Sequence, residues 1–429
     1  MQNGTKRIVV TGMGINTALG DDLDKFYGNL VAGRSGISKW KFLDTSRVHS
    51  KVGGDLSQYD VQAKLAALVG VLPEDVHKRV RRLAKKAPFS TRMTLLCATD
   101  AYRDAGLNKN VDPYRVAVIV AGHNLHNNLL FENIARFAAE PEYIDSMLSL
   151  HGLDTDVAAS IGEGLGFFGP LYTVGGACAS ANIGLRHAID EIRYHDNDVV
   201  LVAGAPLDFS PIDLHAMAIM GAISYQSFNE QPERASRPYD KAREGFIPSH
   251  GTGVLVLEDM EHAMRRNARI YAEILGVVTA SDGCHLPSPS VEGQTRTMSL
   301  LLRTTGVAPE QVDYINAHAT STQLGDVTEI HSIKQVFGDH AYRLKVNATK
   351  SMLGHTCWSA PVVETVASLL QMSRGTLHPS VNIDDIDPEV DLDVCANHSV
   401  EYPVKYLMKN SFGFGGINCC AMYKTFDGA

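Results

Sequence analysis

The sequence predicts an α/β fold in which helices cover the faces of largely parallel sheets. Short β-branched runs alternate with amphipathic stretches along all 429 residues. This alternation favours layered α-β-α architectures, in which crossover helices join the strands. The clearest helical stretches are residues 182–194 and 360–372, and the predicted strands are residues 7–11, 115–121, 171–174, 199–203, 253–257, 271–275, 313–317 and 344–348.

A charged segment separates these elements into two groups. Residues 258–269 contain the run Arg265-Arg266-Asn267 and lie between two strands of buried type. Because no low-complexity linker occurs, this segment is the best internal boundary. We expect an N-terminal half, residues 1–258, and a C-terminal half, residues 259–429. Their similar βαβ content is compatible with an old duplication.

Composition excludes several classes of protein. Lys and Arg number 39, Asp and Glu number 48, the formal net charge is −9, and 45% of residues are hydrophobic. These values indicate an ordinary globular core and argue against a general nucleic-acid binder. No apolar run approaches the length of about 18 residues that would span a membrane, and residues 1–7 lack a secretory signal.

Seven cysteines at scattered positions do not suggest a disulfide framework, and no C-x-x-C pair suggests a bound metal. We therefore expect a protein of the reducing cytoplasm.

Cys178 is the best candidate for a nucleophile. The strand at residues 171–174 runs into Gly175-Gly176, and an amphipathic helix follows the cysteine. This pattern predicts a sharp strand-to-helix turn with the sulfur at a helix N-terminus, where a thiolate is stabilised near neutral pH. A buried structural thiol is the alternative, and the motif alone leaves both open.

His318 ends the strand 313–317 and is followed by Thr320 and Thr322, whose hydroxyls could bind a polar ligand. A histidine at the carboxyl end of a strand commonly points into a cleft and donates a hydrogen bond or transfers a proton. The alternative is a hydrated loop histidine.

A second histidine, His355, follows another strand end and lies close to Lys350. Glu364, on the next predicted helix, could pair with that lysine. A surface loop with a hydrated lysine and histidine is the alternative.

A glycine-rich segment, residues 410–418, precedes the last predicted strand at residues 419–424. Its glycines free the backbone, and Phe412 and Phe414 can line an apolar pocket. An ordinary tight turn is the alternative.

Together these motifs resemble the elongating β-ketoacyl-acyl-carrier-protein synthases of fatty-acid and polyketide assembly. The resemblance rests on Cys178, on His318 in Asn-Ala-His-Ala-Thr-Ser-Thr, on His355 in Lys-Ser-Met-Leu-Gly-His, and on Phe-Gly-Phe-Gly-Gly at residues 412–416. It extends over nearly the whole chain, from Val-Val-Thr-Gly-Met-Gly at residues 9–14 onward. Four motifs in the right order make accidental agreement very improbable.

The resemblance implies a thiolase-like five-layered α-β-α-β-α fold made of two similar halves, usually in a homodimer. It also implies a decarboxylative Claisen condensation of an acyl thioester with a malonyl unit on an acyl carrier protein. No metal or organic cofactor is then needed, since the phosphopantetheine belongs to the carrier partner. Neither nucleic acid nor membrane is an expected partner.

Carried over residue by residue, the resemblance makes Cys178 the nucleophile and His318 and His355 the groups that stabilise the enolate. The backbone N–H groups of Cys178 and Phe414 would form the oxyanion hole.

Other positions take supporting roles under the same resemblance. Lys350 would orient His355 and join Glu364. Thr320 and Thr322 would bind the pantetheine arm, and Phe414 would act as a gate to the acyl pocket. Phe412 and Ile417 would be substrate-binding residues. Asp326 and Glu364 would give structural support.

A basic helix is predicted at residues 76–87, where the apolar spacing leaves several cationic side chains exposed. A solvated face is the usual meaning of such a run. Against a net charge of −9, the resemblance favours docking of an acidic carrier at Arg82, Lys85 and Lys86.

Some positions depart from the family pattern. Ala319 replaces a glycine, and Ile417 replaces a threonine. Trp358 stands in a stretch that usually consists of small residues. Residues 246–250 also lack the usual Gly/Asp-containing turn. We expect Trp358 and Ile417 to lie near the cleft, which suggests a specialised pathway, such as polyketide biosynthesis, rather than generic long-chain elongation.

Three functional hypotheses follow. Cys178 with both histidines favours a condensing enzyme. A malonyl-carrier decarboxylase of a polyketide β-branching cassette would suit a shrunken acyl pocket, although such proteins often lack the cysteine. A non-catalytic chain-length subunit of a heterodimer usually lacks the nucleophile as well. A thiolase or hydroxymethylglutaryl synthase is more distant, because the motif spacings fit the elongating enzymes better.

Overall fold

The computed structural model describes residues 6–427. Within them the strands β1 to β14 are, in order, Ile8–Thr17, Ser38–Lys39, Val52–Gly53, Val116–Ala121, Leu171–Val174, Val199–Gly204, Gly251–Asp259, Ala272–Ser281, Tyr314–Asn316, Lys345–Asn347, Thr376–Leu377, Val400–Glu401, Tyr406–Gly413 and Ile417–Thr425. The helices α1 to α14 are Leu23–Val31, Val61–Ala67, Glu74–Lys86, Phe89–Asp104, Asn127–Ala139, Leu148–His151, Thr155–Leu165, Ser180–Tyr194, Pro211–Ile219, Met260–Arg265, Val291–Thr305, Gln323–Phe337, Lys350–Leu353 and Ala360–Arg374.

Ten strands form one sheet that consists of two equivalent groups of five. From one edge the order is β5-β4-β6-β7-β1, and from the other edge it is β10-β9-β13-β14-β8. In each group the first three strands run parallel to one another. Each of the last two strands runs antiparallel to the strand before it. A short antiparallel pairing of β1 with β8 joins the groups. Strand order and direction therefore repeat in the two halves.

Helices also occupy equivalent places in the two halves. The helices α8 and α14 pack against each other and lie between the two groups of strands. The outer faces are covered by α4 and α7 on one side and by α11 and α12 on the other. This is the five-layered α-β-α-β-α order that the resemblance implies.

The sequence pattern explains why α8 lies in the middle layer. Ala181, Leu185, Ala188 and Ile192 form one apolar stripe at helical spacing, and all four are fully buried. The predicted helix begins two residues late, because Ser180 and Ala181 already have helical geometry.

All nine predicted strands are present, but the expectation of largely parallel sheets is wrong. Five of the nine pairings in the ten-stranded sheet are antiparallel. A strand buried on both faces has the same apolar pattern whichever way it runs, so direction was not readable from composition.

The strand β13 was missed, since residues 410–413 were interpreted only as part of a glycine-rich turn. The division of the chain at residue 258 stays a prediction. No helix in residues 6–427 is both long and apolar enough to cross a bilayer. The expectation for the first seven residues falls mostly on positions outside the described range.

Candidate active site

The predicted strand-to-helix turn at Cys178 is confirmed. After β5 the backbone passes through a 3₁₀ turn, Ala177–Ala179, in which Ala177 has φ of 47°. The Ser180 hydroxyl accepts a hydrogen bond from the Gly176 N–H at 2.9 Å and donates one to the Ala177 carbonyl at 2.7 Å. These two bonds brace the turn and place Cys178 just before the start of α8.

Cys178 shares one chamber of about 320 Å³ with most of the predicted catalytic and substrate-binding residues. The predicted residues that line it are Cys178, His318, Thr320, Thr322, His355, Phe412 and Phe414. Further walls come from residues 220–222, 244–246, 282 and 286–289. Side chains separated by more than 200 positions in sequence are thus brought together.

The two imidazoles meet edge to face, with ring centroids 5.5 Å apart at 82°. The Cys357 backbone N–H donates to Nδ1 of His355 at 3.1 Å. The neutral ring therefore carries its proton on Nε2, which is buried and has no hydrogen-bond partner within the described residues. His355 therefore has a buried donor that is available to a ligand.

Both histidines are held neutral. Burial is the largest cause that lowers the pKa of His318 and His355 well below the usual value, and the positive charges of Lys350 and Lys409 add to it. A neutral imidazole donates a hydrogen bond without supplying a full positive charge.

Lys350 does not orient His355 as predicted; it holds the backbone of the other histidine. Its ammonium donates to the His318 carbonyl at 2.7 Å and pairs with Glu364 at 2.5 Å. The predicted pairing of Lys350 with Glu364 is present. The lysine reaches His318 because the ends of β9 and β10 are adjacent in the sheet.

Sequence reasoning missed Lys409, which forms a second ion pair with Glu364 at 2.7 Å. All three charged side chains are at most 3% exposed. Burial lowers the pKa of Lys409, and the Glu364 carboxylate opposes that shift. A lysine inside the apolar run Tyr-Leu-Met-Lys was the available signal, because such a residue needs a buried partner.

Glu329 was also missed. Its carboxylate accepts the backbone N–H groups of His318 and Ala319 at 2.9 and 2.8 Å and the Asn410 amide at 3.0 Å. It therefore fixes the backbone of His318 from the side opposite Lys350. Its position in α12, eleven residues after His318, offered no motif that would single it out.

The electrostatics of Cys178 differ from the expectation. Burial raises the pKa of its thiol to about 11, while Lys350 and the backbone N–H groups of Phe414 and of Cys178 itself lower it. The pKa is raised, whereas a helix N-terminus was expected to lower it. The cause is that the lost hydration of the thiolate outweighs the effect of those donors. The resting group is a thiol near neutral pH.

The loop after His318 is tied down at several points. Thr322 caps α12 by accepting the Gly325 N–H at 3.2 Å, and its hydroxyl lies 3.1 Å from that of Thr320. Asp326 accepts the backbone N–H groups of Tyr239 and Ser321 at 2.9 and 3.0 Å. Burial raises the pKa of Asp326 to about 6.

The aromatic side chains occupy two positions in the chamber. Phe412 lies edge-on to His318 at 5.8 Å, and Phe414 is 41% exposed at the chamber wall. Phe246, not singled out from sequence, lies edge-on to both His355 and Phe414.

Two placements need correction. Ile417 does not line the chamber; its side chain packs against the apolar core, because alternate residues of β14 face opposite sides. Trp358 does not line it either. Its ring stacks on His123, with centroids 4.2 Å apart.

The basic helix is α3, as predicted. Arg82 is 62% exposed and forms an ion pair with Glu163. Lys85 and Lys86 are exposed and, within the described residues, take part in no ion pair. They are the last residues of α3.

Comparison with family models matches most of the chain. Residues 5–263 match "Beta-ketoacyl synthase, N-terminal domain", and residues 271–384 match "Beta-ketoacyl synthase, C-terminal domain".

Curated relatives are similar along nearly their full length. The chain is 34% identical to 3-oxoacyl-[acyl-carrier-protein] synthase 2 of Coxiella burnetii, covering 98% of this chain and 99% of that protein. It is 34% identical to the chloroplastic 3-oxoacyl-[acyl-carrier-protein] synthase I of Hordeum vulgare, covering 98% and 89%. It is 32% identical to the polyketide biosynthesis malonyl-ACP decarboxylase PksF of Bacillus subtilis, covering 98% and 97%.

Solved structures agree with the fold. The ishigamide ketosynthase/chain length factor superposes with a TM-score of 0.87 at 28% identity, covering 99% of this chain and 100% of that one. AntDE:AntF, described as a type II PKS acyl-carrier protein in complex with its ketosynthase, superposes with a TM-score of 0.86 at 27% identity, covering 99% and 100%.

Proposed function

The chain belongs to the beta-ketoacyl synthase family, and from this premise we propose that it condenses an acyl group on Cys178 with a malonyl unit on an acyl carrier protein. It is an acyltransferase of the 3-oxoacyl-acyl-carrier-protein synthase type. The observation that carries the proposal is the common chamber of one thiol and two neutral imidazoles.

The first step is transfer of the acyl group to sulfur. The Cys178 sulfur attacks the thioester carbonyl of the acyl carrier, the carbonyl-to-pantetheine sulfur bond breaks, and the thiol proton leaves with the pantetheine sulfur. The backbone N–H groups of Cys178 and Phe414 lower the pKa of the Cys178 thiol, and we assign them to the tetrahedral oxyanion that forms beside the sulfur. Such a donor is worth about 2.7–4 kcal/mol of transition-state stabilisation.

The second step is decarboxylation and carbon–carbon bond formation. The malonyl carboxylate leaves as CO₂, and the electron pair remains as an enolate whose oxygen accepts hydrogen bonds from His318 and His355. The enolate carbon then attacks the acyl carbonyl and displaces the Cys178 thiolate, which takes up one proton. Neutral donors suit this step, because a charged imidazolium would protonate the carbanion.

The chamber walls suit a pantetheine arm. Thr320 and Thr322 present hydroxyls within hydrogen-bond distance of each other at the wall, and we assign them to the arm's amides. Phe414 is half-exposed beside Cys178 and is assigned as the gate, while Phe412 shields His318 from water. Lys350, Glu364, Lys409 and Glu329 act as positioning residues.

Decarboxylation without condensation is the second candidate. It is favoured by the similarity to PksF along nearly the whole chain and by the filled space on the interior side of Cys178, described below. The retained Cys178, placed with both histidines, favours condensation. The same residue argues against a non-catalytic chain-length subunit.

We infer that the carrier docks on the end of α3. Lys85 and Lys86 are exposed cations on a chain with a net charge of −9, so they offer a local attractive site to an acidic partner. Arg82 is partly neutralised by Glu163 and contributes less.

A homodimer is inferred from the free edge of the sheet. The backbone of β10 is covered, since the Val346 N–H donates to the Asp393 carbonyl at 2.9 Å. The opposite edge strand, β5, pairs only with β4 within the described residues, and Leu171 on it is 39% exposed. Exposed edges of this kind are covered by another strand, and antiparallel pairing of β5 with β5 of a second copy would cover both.

The cytoplasm is the inferred location, because a reducing compartment keeps the Cys178 thiol free.

Mass spectrometry of the intact protein tests the proposal. Incubation with an acyl carrier thioester adds the acyl mass to the wild type and not to Cys178→Ala. Subsequent malonyl carrier removes that mass and yields a β-ketoacyl carrier. Release of acetyl carrier from malonyl carrier, without acyl transfer to Cys178, would assign the decarboxylase function instead.

A further inference from the structure

A stacked aromatic pair fills the interior side of the nucleophile's turn. The turn Ala177–Ala179 packs against its counterpart in the other half, Cys357–Ser359, which precedes α14. Trp358 lies in this second turn. Its ring stacks on His123, with an interplanar angle of 28°.

Two glycines leave just enough room for the pair. A Cβ at Gly122 would lie 3.3 Å from Cδ1 of Trp358, and a Cβ at Gly175, three residues before Cys178, would lie 3.0 Å from Cδ2 of His123. Both distances are shorter than ordinary contacts, so the rings leave no free space against the strands on which they rest.

Both rings are partly buried, and apolar side chains pack against Trp358. Cys357 belongs to an apolar cluster with Trp40, Leu207, Phe209 and Leu214, and Trp358 packs against the same cluster. Within the described residues, the wall of the catalytic chamber contains none of these side chains. The described wall of the chamber therefore does not extend past the pair.

We propose that the His123–Trp358 pair limits the acyl group on Cys178 to acetyl or propionyl size. This inference rests on the proposed function. The outward chamber of about 320 Å³ must hold the pantetheine arm and the malonyl unit, so a longer acyl chain would have to pass inward through the space that the pair fills. In a closed pocket each methylene that does not fit costs about tenfold or more in rate.

The pair can be altered without leaving a strong polar interaction unsatisfied. Nε1 of Trp358 is buried and has no hydrogen-bond partner among residues 6–427, so stacking and packing hold the ring in place. Trp358→Ala and His123→Ala each remove one member. Trp40→Ala is the matched control, since Trp40 lies in the same cluster but contacts Phe209 and His250 rather than His123.

The experiment measures the rate of Cys178 acylation by intact-protein mass spectrometry, with carrier thioesters from acetyl to octanoyl. We expect octanoyl transfer to be at least about a hundredfold slower than acetyl transfer in the wild type. The octanoyl-to-acetyl ratio should rise at least about tenfold in Trp358→Ala or in His123→Ala, and not in Trp40→Ala.

Equal acetyl and octanoyl rates in the wild type would overturn the proposal. So would an unchanged ratio in both variants, or an equal rise in the control. If the acyl series shows the expected limit but malonyl carrier yields no β-ketoacyl product, the condensation fails while the length limit stands. If all acyl groups condense alike, the condensation stands and the length limit fails.

Discussion

Single residues set the charge balance of the site, and Glu364 contributes most. It forms ion pairs with both Lys350 and Lys409, which are buried. Removing its charge would leave two unpaired ammonium groups in the core. We expect Glu364→Gln to lower the free energy of unfolding by about 3–5 kcal/mol, measured by urea denaturation.

Glu261→Gln is the control for that measurement. Glu261 pairs with Arg265 at 3.9 Å, and both side chains are well exposed, so its loss should cost less than about 1 kcal/mol. Similar losses in the two variants would show that the pairs with Glu364 contribute little.

The histidines determine how activity responds to acid. Their pKa values lie well below the usual value of about 6.5, so both stay neutral as pH falls through that value. We expect decarboxylation of malonyl carrier by Cys178→Ala to stay constant as the pH falls from about 7.5 through about 6.5. It declines only at lower pH, where the imidazoles gain protons. A midpoint near pH 6.5, in the rate of CO₂ release, would contradict this.

The thiol determines the response to base. Because its pKa is raised to about 11, the thiolate fraction increases with pH through the accessible range. We expect the rate of Cys178 alkylation by iodoacetamide to increase about tenfold per pH unit up to about pH 9.5. Cys284, the exposed cysteine, is first replaced by serine so that the mass change reports Cys178. An alkylation rate that stops increasing by about pH 8 would show that Lys350 and the backbone N–H groups affect the thiol pKa more than burial does.

At the scale of elements, α3 carries the prediction about carrier docking. Lys85→Glu with Lys86→Glu should lower kcat/KM for carrier substrates about tenfold at low salt and less at high salt. Turnover of a free pantetheine thioester, which needs no carrier, tests whether the site itself is intact. Lys109→Glu reverses another exposed cation. Docking at α3 would be rejected if Lys109→Glu lowered kcat/KM as much as the double variant does, or if neither variant lowered it.

The element missed from the sequence, β13, shows how local pattern fails. Lys409 and Asn410 interrupt its apolar run, and in solvent they would favour a loop. Both are buried, because Glu364 and Glu329 from two helices of the other layers supply their partners. The strand is readable only when those carboxylates are known to be nearby.

At the scale of the whole molecule, the free β5 edge predicts a dimer. Leu171→Lys places a charge on that edge and should halve the mass measured by light scattering after size-exclusion chromatography. Met264→Lys, at an exposed position of α10, is the control and should leave the mass unchanged. An unchanged mass in Leu171→Lys would place the interface elsewhere.

The strands and helices, the turn at Cys178 and the candidate reactive side chains could be predicted from sequence patterns. These follow from local spacing and from motifs, which depend on neighbours along the chain. Three features became visible only in the folded chain: Lys350 holds His318, Trp358 stacks on His123, and Cys178 rests as a thiol. Each outcome depends on desolvation and on charges from distant segments, and neither is encoded in spacing along the chain.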